Sequence, residues 1–200
     1  MPTESSATVA RSKGRRAPAL VAVVVLLGAL LTAAPASAEI EDYPSWQPAT
    51  KCQPKPKPGT AFLGRWLVRN HGGSFGSISR SCTKKNVSSE HHEGRAFDWS
   101  LDAAKKADRR RARAFLAQVR ATDARGNTDA VGRRMGLMYV IWNDEIYSAW
   151  NGYAPEPYLS SSCKTRKKCS KTLRHRDHVH VSLTRAGGRG KTSWFERRMG

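Results

Sequence analysis

The stretch SEHHEGRAFDWSL, residues 89–101, carries His91 and Asp98 with six residues between them. A second run, RHRDHVHVSL at residues 174–183, carries His178 and His180 one residue apart, with His175 and Asp177 just ahead of them. Together the two runs hold five of the chain's six histidines. On a strand, side chains two apart share a face, so His178 and His180 are expected to look into one site while Val179 and Val181 enter the core. His91 and Asp98 are then expected from a neighbouring loop and strand, where Gly94 and Ala96 leave room for close packing. Two imidazoles and a carboxylate are a normal ligand set for a catalytic zinc, which takes three protein groups and keeps a fourth position open. His91, Asp98 and His180 are the first choice, although His178 or His175 can replace one of them.

Hydrolysis beside such a metal needs a proton acceptor near the attacking water and a donor for the leaving amine. Asp177 and His175 are both candidates for the base, and His178 can stabilise an oxyanion or orient the substrate. On a regular strand Asp177 points away from His178, so for Asp177 to be the base the backbone must turn before Val179. Arg80 suits a clamp on a carboxylate or developing oxyanion, because its charge does not titrate. His71 and His92 read as structural residues.

The chain opens with a positive segment (Arg11, Lys13, Arg15, Arg16), an uncharged apolar run over 17–34, and Pro35-Ala36-Ser37-Ala38. This is the pattern of a secretory signal peptide over residues 1–38, cleaved after Ala38. The formal net charge is +19, and removing those four cations with Glu4 leaves +16. Such a charge speaks to partners rather than to fold, and outside a cell it suits anionic wall polymers. Cys52, Cys82, Cys163 and Cys169 all follow the leader, an even count that favours disulfides in an exported protein. Cys163 and Cys169 bracket a short polar loop, so the simplest pairing is local there and Cys52 with Cys82.

Residues 39–59 are proline-rich and are expected to form an extended arm tied down by Cys52. A domain is expected over 60–184 and a mobile basic tail over 185–200. Within the domain, Thr60 caps a helix stopped by Gly72-Gly73, Ser74–Cys82 reads as a strand, and residues 103–121 read as an amphipathic helix opened by Asp102. The stripe of that helix is Ala104, Ala107, Phe115, Leu116 and Val119, and its arginine run is a solvated face. A short helix is expected over Thr128–Met135. Leu137–Trp142 and Glu145–Trp150 form a hairpin through Asn143-Asp144. Residues 151–173 read as a long polar loop, and Val179–Leu183 as the last strand.

The pattern Ser89-x-His91-x-x-Gly94-x-Ala96-x-Asp98, followed by His178-x-His180, resembles the LAS group of zinc peptidases. That group spans D-alanyl-D-alanine carboxypeptidases and dipeptidases, murein endopeptidases and the Hedgehog signalling domain. The order of Arg80-Ser81-Cys82, His91–Trp99, Met138–Asn143 and Asp177–His180 is especially similar to a secreted actinobacterial branch. The resemblance spans roughly residues 50–185. It implies an α+β fold with a small antiparallel sheet and helices packed on it, zinc held by His91, Asp98 and His180, and cleavage near D-amino acids of peptidoglycan. Asp177 falls three residues before the last ligand, where the carboxypeptidases place a glutamate, whereas His175 and His178 match the spacing of the murein endopeptidases. Val179 stands where the group usually has Trp.

The resulting expectation is a secreted, wall-associated, monomeric zinc peptidase whose partner is a peptidoglycan peptide, with no membrane attachment after cleavage and no specific nucleic acid. A metal-holding envelope-binding module that cleaves nothing is the alternative. A secreted metal-dependent nuclease is a third reading, which no recognisable nuclease motif supports.

Overall fold

The computed structural model describes residues 40–76, 78–82 and 87–200. The expected signal peptide (1–38), position 77 of the expected strand and residues 83–86 lie outside them. Two β-prone runs form a hairpin in the sheet. Leu137–Trp142 (β3) and Glu145–Ser148 (β4) pair as the expected hairpin, and both turn residues, Asn143 and Asp144, adopt positive φ (50° and 69°). That is the left-handed pair that lets a two-residue turn follow the strand twist.

Val179–Leu183 (β6) is a strand with the bounds read from the sequence, and it lies between β3 and Ala96–Ser100 (β2). Ser74–Phe75 (β1) flanks β2, and Pro155–Pro157 (β5) flanks β4, giving an antiparallel sheet in the order β1-β2-β6-β3-β4-β5. The expected strand over Ser74–Cys82 is therefore only two residues of ladder among those described. The expected loop 151–173 contributes β5, whose prolines suit an outer strand where donors are not required.

The sheet has two unlike faces. Phe97, Trp99, Val140, Trp142, Val179 and Val181 join the apolar core with Leu63 and Leu67 of α1 (Pro58–His71) and Phe115, Leu116 and Val119 of α2 (Lys106–Val119). The opposite face carries Asp98, His180, Ile141 and Tyr139, neighbours across the ladder. The helix boundaries shift from expectation for local reasons. α1 starts at Pro58, whose missing N–H costs nothing in a first turn, and Thr60 is buried inside it rather than capping it. α2 starts at Lys106, because Asp102 accepts from the Ala104 amide and holds a turn ahead of it. Ala104 consequently lies outside the helix and is exposed, and Ala112 takes its place in the buried stripe. The third helix, α3, is Ala130–Arg134.

The tail expected to be mobile over 185–200 is instead two short helices, α4 (Arg185–Arg189) and α5 (Ser193–Met199). Trp194 and Phe195 are buried there, packing edge-on against Phe62 of α1. At the α1–α4 crossing a Cβ on Gly59 would meet the Gly187 carbonyl oxygen at 2.1 Å, so only glycine allows the approach. The domain thus runs past residue 184.

The arm ahead of α1 has no regular element but is stitched to the body. Buried Arg95 donates to the carbonyls of Gln47 and, at 2.7 Å, Leu183, and pairs with Glu93 at 2.6 Å. Glu93 in turn accepts from the amides of Thr50 and Lys51. Disulfides join Cys52 to Cys82 and Cys163 to Cys169.

Candidate metal centre

Asp98 and His180 are direct partners across the β2–β6 ladder, and His91 approaches from the 3-10 turn Glu90–Glu93. That turn is capped by Ser89, whose hydroxyl accepts from the His91 amide, and it ends at Gly94 with positive φ (64°). Three ligand atoms converge. His91 Nε2 is 3.2 Å from His180 Nδ1 and 3.3 Å from Asp98 Oδ1, and His180 Nδ1 is 3.3 Å from the same oxygen.

The donor set fits a small divalent cation. Ligand bonds of about 2.0–2.1 Å at tetrahedral angles put ligand atoms about 3.3 Å apart, which matches all three edges. The outward nitrogens are also spoken for. His91 Nδ1 faces the Ile78 carbonyl oxygen at 3.1 Å; a carbonyl can only accept, so Nδ1 carries the proton and Nε2 is free to ligate. His180 Nε2 lies 2.8 Å from Ser182 Oγ, and donating there frees Nδ1 in the same way. Burial lowers the pKa of His180, which favours the neutral ligating form. Burial would raise the pKa of Asp98, but in the metal-free protein His180 and His91 beside it, when protonated, donate to the carboxylate, outweigh burial and hold the carboxyl far below its usual range.

The three groups open onto a cleft of about 320 Å³ whose lining includes Arg80, Ser160, Ser161, His175 and His178. The disulfide-closed segment Cys163–Cys169 lies between two wall segments of this cleft, Ser160–Ser162 and Thr172–Leu173. His178 Nε2 is 3.7 Å from Asp98 Oδ1, and its Nδ1 is 2.8 Å from Asp177 Oδ1. The backbone has turned before Val179, so Asp177 is beside His178, but its carboxylate faces His178 and the Thr172 hydroxyl (2.6 Å). Its pKa is lowered: burial alone would raise it, and the hydrogen bonds from Thr172 and His178 prevail. His175 has positive φ (48°) and a ring 4.7 Å from that of His178, and its buried Nδ1 has no partner among the described residues. Burial, with His180 and His178 close by, brings its pKa down to about 3.

Two neighbours escaped the sequence reading. The Tyr139 ring stacks on His180 (5.6 Å between centroids, planes 20° apart), and its phenol donates to buried Glu90 at 2.5 Å. Ser182 is the partner of His180 described above. The available signal was strand alternation, since Ser182 is two residues from His180 and Tyr139 two from Ile141. His92 is buried with its Nδ1 accepting from the Ser88 amide, and His71 packs edge-on against Trp99 and Phe115.

The described residues include no helix long and apolar enough to cross a membrane. No curated protein and no solved structure matches the chain. A family model does, the one described as VldE, C-terminal domain, over residues 52–167. The matched segment contains His91 and Asp98 and ends ahead of the run His175–His180. With more than half of its length matched, the chain belongs to the VldE C-terminal domain family.

Proposed function

We propose that the protein is a secreted zinc peptidase acting on peptidoglycan peptides, of carboxypeptidase or endopeptidase type. The observation that carries this is the triangle of His91, Asp98 and His180 ligand atoms beside the Asp177–His178 pair in one open cleft. Its resemblance to the LAS peptidases and its two disulfides support the substrate class and the export.

Bound zinc supplies Lewis acidity toward a scissile carbonyl and toward water. The remaining chemistry belongs to the chain. Asp177 accepts from His178 Nδ1–H and fixes the tautomer whose Nε2 is unprotonated at the cleft. That nitrogen takes the proton of the attacking water and returns it to the amine as the C–N bond breaks. Asp177 then acts through His178 rather than on water directly. Neutral His175, adjacent to His178, excludes water and limits the ring's movement. Arg80, on the cleft wall, holds a substrate carboxylate.

The test is mass spectrometry of peptides released from purified peptidoglycan by zinc-loaded protein. Release abolished by chelator and by His180→Ala is expected. Stoichiometric zinc with no released peptide would instead favour the envelope-binding module.

A further inference from the structure

Next to the metal cleft lies a second depression of about 480 Å³, lined by Trp46, Tyr139, Ile141, Ile146, Trp150 and Tyr158. Tyr139, Ile141 and Tyr158 also line the metal cleft, so the two are continuous. Two ring-to-ring steps lead out from the ligands: Tyr139 stacks on His180 at 5.6 Å, and Trp150 meets Tyr139 edge-on at 6.1 Å. Ile146 pairs across the β4–β5 ladder with Glu156, so that carboxylate stands on the groove's face of the sheet. Its Oε2 is 3.5 Å from the hydroxyl of Ser148, two positions along β4 from Ile146.

This lining joins exposed aromatic faces to polar groups that lack partners. Trp46 is 61 % and Trp150 48 % accessible, while Trp99 and Trp194 are buried. Neither exposed indole N–H has a hydrogen-bond partner among the described residues, whereas that of Trp99 donates to the Gly72 carbonyl. Glu156 pairs with no cation among the described residues, although the chain carries 35 Lys and Arg residues. The Tyr158 hydroxyl interacts with Ser160 and keeps capacity for a second bond, since a phenol both donates and accepts. Trp46 is held in place, because the next residue, Gln47, receives the Arg95 guanidinium through its carbonyl. Exposed aromatic surface rimmed by polar groups beside a reactive cleft marks a ligand site.

We propose that this groove is the subsite for a sugar ring, an N-acetylated pyranose of the glycan strand that carries the peptide. The proposal rests on the peptidoglycan reading and adds the carbohydrate half of the substrate. A pyranose is amphipathic in the way the groove is. Its axial C–H groups make an apolar face that stacks on an indole, and its hydroxyls project at the rim. The two indole N–H groups donate to hydroxyl or acetamido oxygens, and Glu156 accepts from hydroxyls in charge-assisted bonds. A hydrocarbon occupant would cover the same rings and isoleucines. It would also strip water from the indole N–H groups, the Tyr158 hydroxyl and Glu156 and put nothing in its place. The spacing suits a peptide branching from a sugar: at roughly 3.3–3.6 Å per extended residue, about two to four residues reach from the ligand triangle to the groove.

The test uses zinc-loaded protein, tri-N-acetylchitotriose as a sugar probe, and two substrates, a stem pentapeptide free or joined to its disaccharide. Chitotriose is expected to bind in calorimetry. The disaccharide-bearing substrate is expected to show a KM about tenfold lower than the free peptide at similar kcat, the size of one aromatic stacking contact. Trp150→Ala and Glu156→Ala should each weaken chitotriose about tenfold and narrow the gap between the two substrates. Trp150→Phe, which keeps a flat face, should retain most of both. Equal KM values with no chitotriose binding overturn the subsite and leave the peptidase reading standing. A sugar advantage that survives both alanine variants overturns the subsite as well. Chitotriose binding that both variants weaken, with neither substrate cleaved, supports the groove and overturns the peptidase reading instead. Tighter binding of a benzyl-bearing tripeptide than of chitotriose, lost in Trp150→Ala, assigns the groove to an apolar side chain and overturns the sugar proposal.

Discussion

Asp98 and His180 face each other as a registered pair on adjacent antiparallel strands, with the carboxylate oxygen 3.3 Å from the imidazole nitrogen. Two of three ligand atoms are therefore set by ladder geometry instead of by loop conformation. Strand-borne ligands need little rearrangement to receive a cation. Zinc measured by atomic absorption should approach one per chain in wild type and be lost in His180→Ala and in Asp98→Ala. Ser182→Ala, which removes only the outer partner of His180, should weaken affinity by about 10–100-fold.

The Asp177–His178 pair predicts a separation of metal binding from turnover. Asp177→Ala should keep zinc and the fold, yet lower the rate of peptide release by about 100-fold or more, since the imidazole loses the group that fixes its tautomer. Parallel measurements of zinc content and muropeptide release decide this. Loss of zinc in Asp177→Ala would place its carboxylate among the ligands.

Acid should destabilise the metal-free protein, and the sign follows from three groups. His175 is held at about 3 and His180 is lowered, each from an ordinary value of 6.5, so the unfolded chain binds more protons in that window. Stability falls as the pH drops below 6.5 and continues to fall toward 3. Glu93 adds to this: burial opposes its ionisation, but the Thr50 amide and Arg95 hold it at about 2. Its contribution is present above 4.5 and is lost as the pH falls through 2. Urea midpoints in chelator at a series of pH values should show the decline. His175→Asn should flatten it between neutrality and mild acid.

Glu93→Gln should be among the costlier single changes away from the metal. It leaves the guanidinium of Arg95 buried without its closest counter-charge and loosens the arm at Thr50 and Lys51. A loss of about 3 kcal/mol or more is expected from denaturant unfolding.

The parts of this fold that were legible in the sequence are those that local rules decide. Alternation in Val179–Leu183 located β6, and Asn143-Asp144 located the hairpin turn. The spacing of His91, Asp98, His178 and His180 pointed to residues that the fold does bring together. The rest depended on partners distant in sequence. Nothing local marks Pro155–Pro157 as a strand; it is one because β4 offers an edge. The basic composition of 185–200 concealed Trp194 and Phe195, though Thr192-Ser193 ahead of two aromatics was a usable helix-start signal. Likewise the Asp177 carboxylate meets His178 Nδ1 at 2.8 Å because the backbone turns ahead of β6, which periodicity does not reveal.

The strand order has a consequence for how the chain folds. β6 is the last strand in sequence, yet it occupies the middle of the sheet, between β2 and β3. Until it arrives, β1-β2 and β3-β4-β5 are two separate ladders, each with an unpaired edge, and His91 and Asp98 wait for a ligand 82 positions beyond Asp98. Such non-local closure is slow and leaves sticky edges open while it is pending. Docking of β6 is therefore the step at which the sheet, the core and the cation site come into being together.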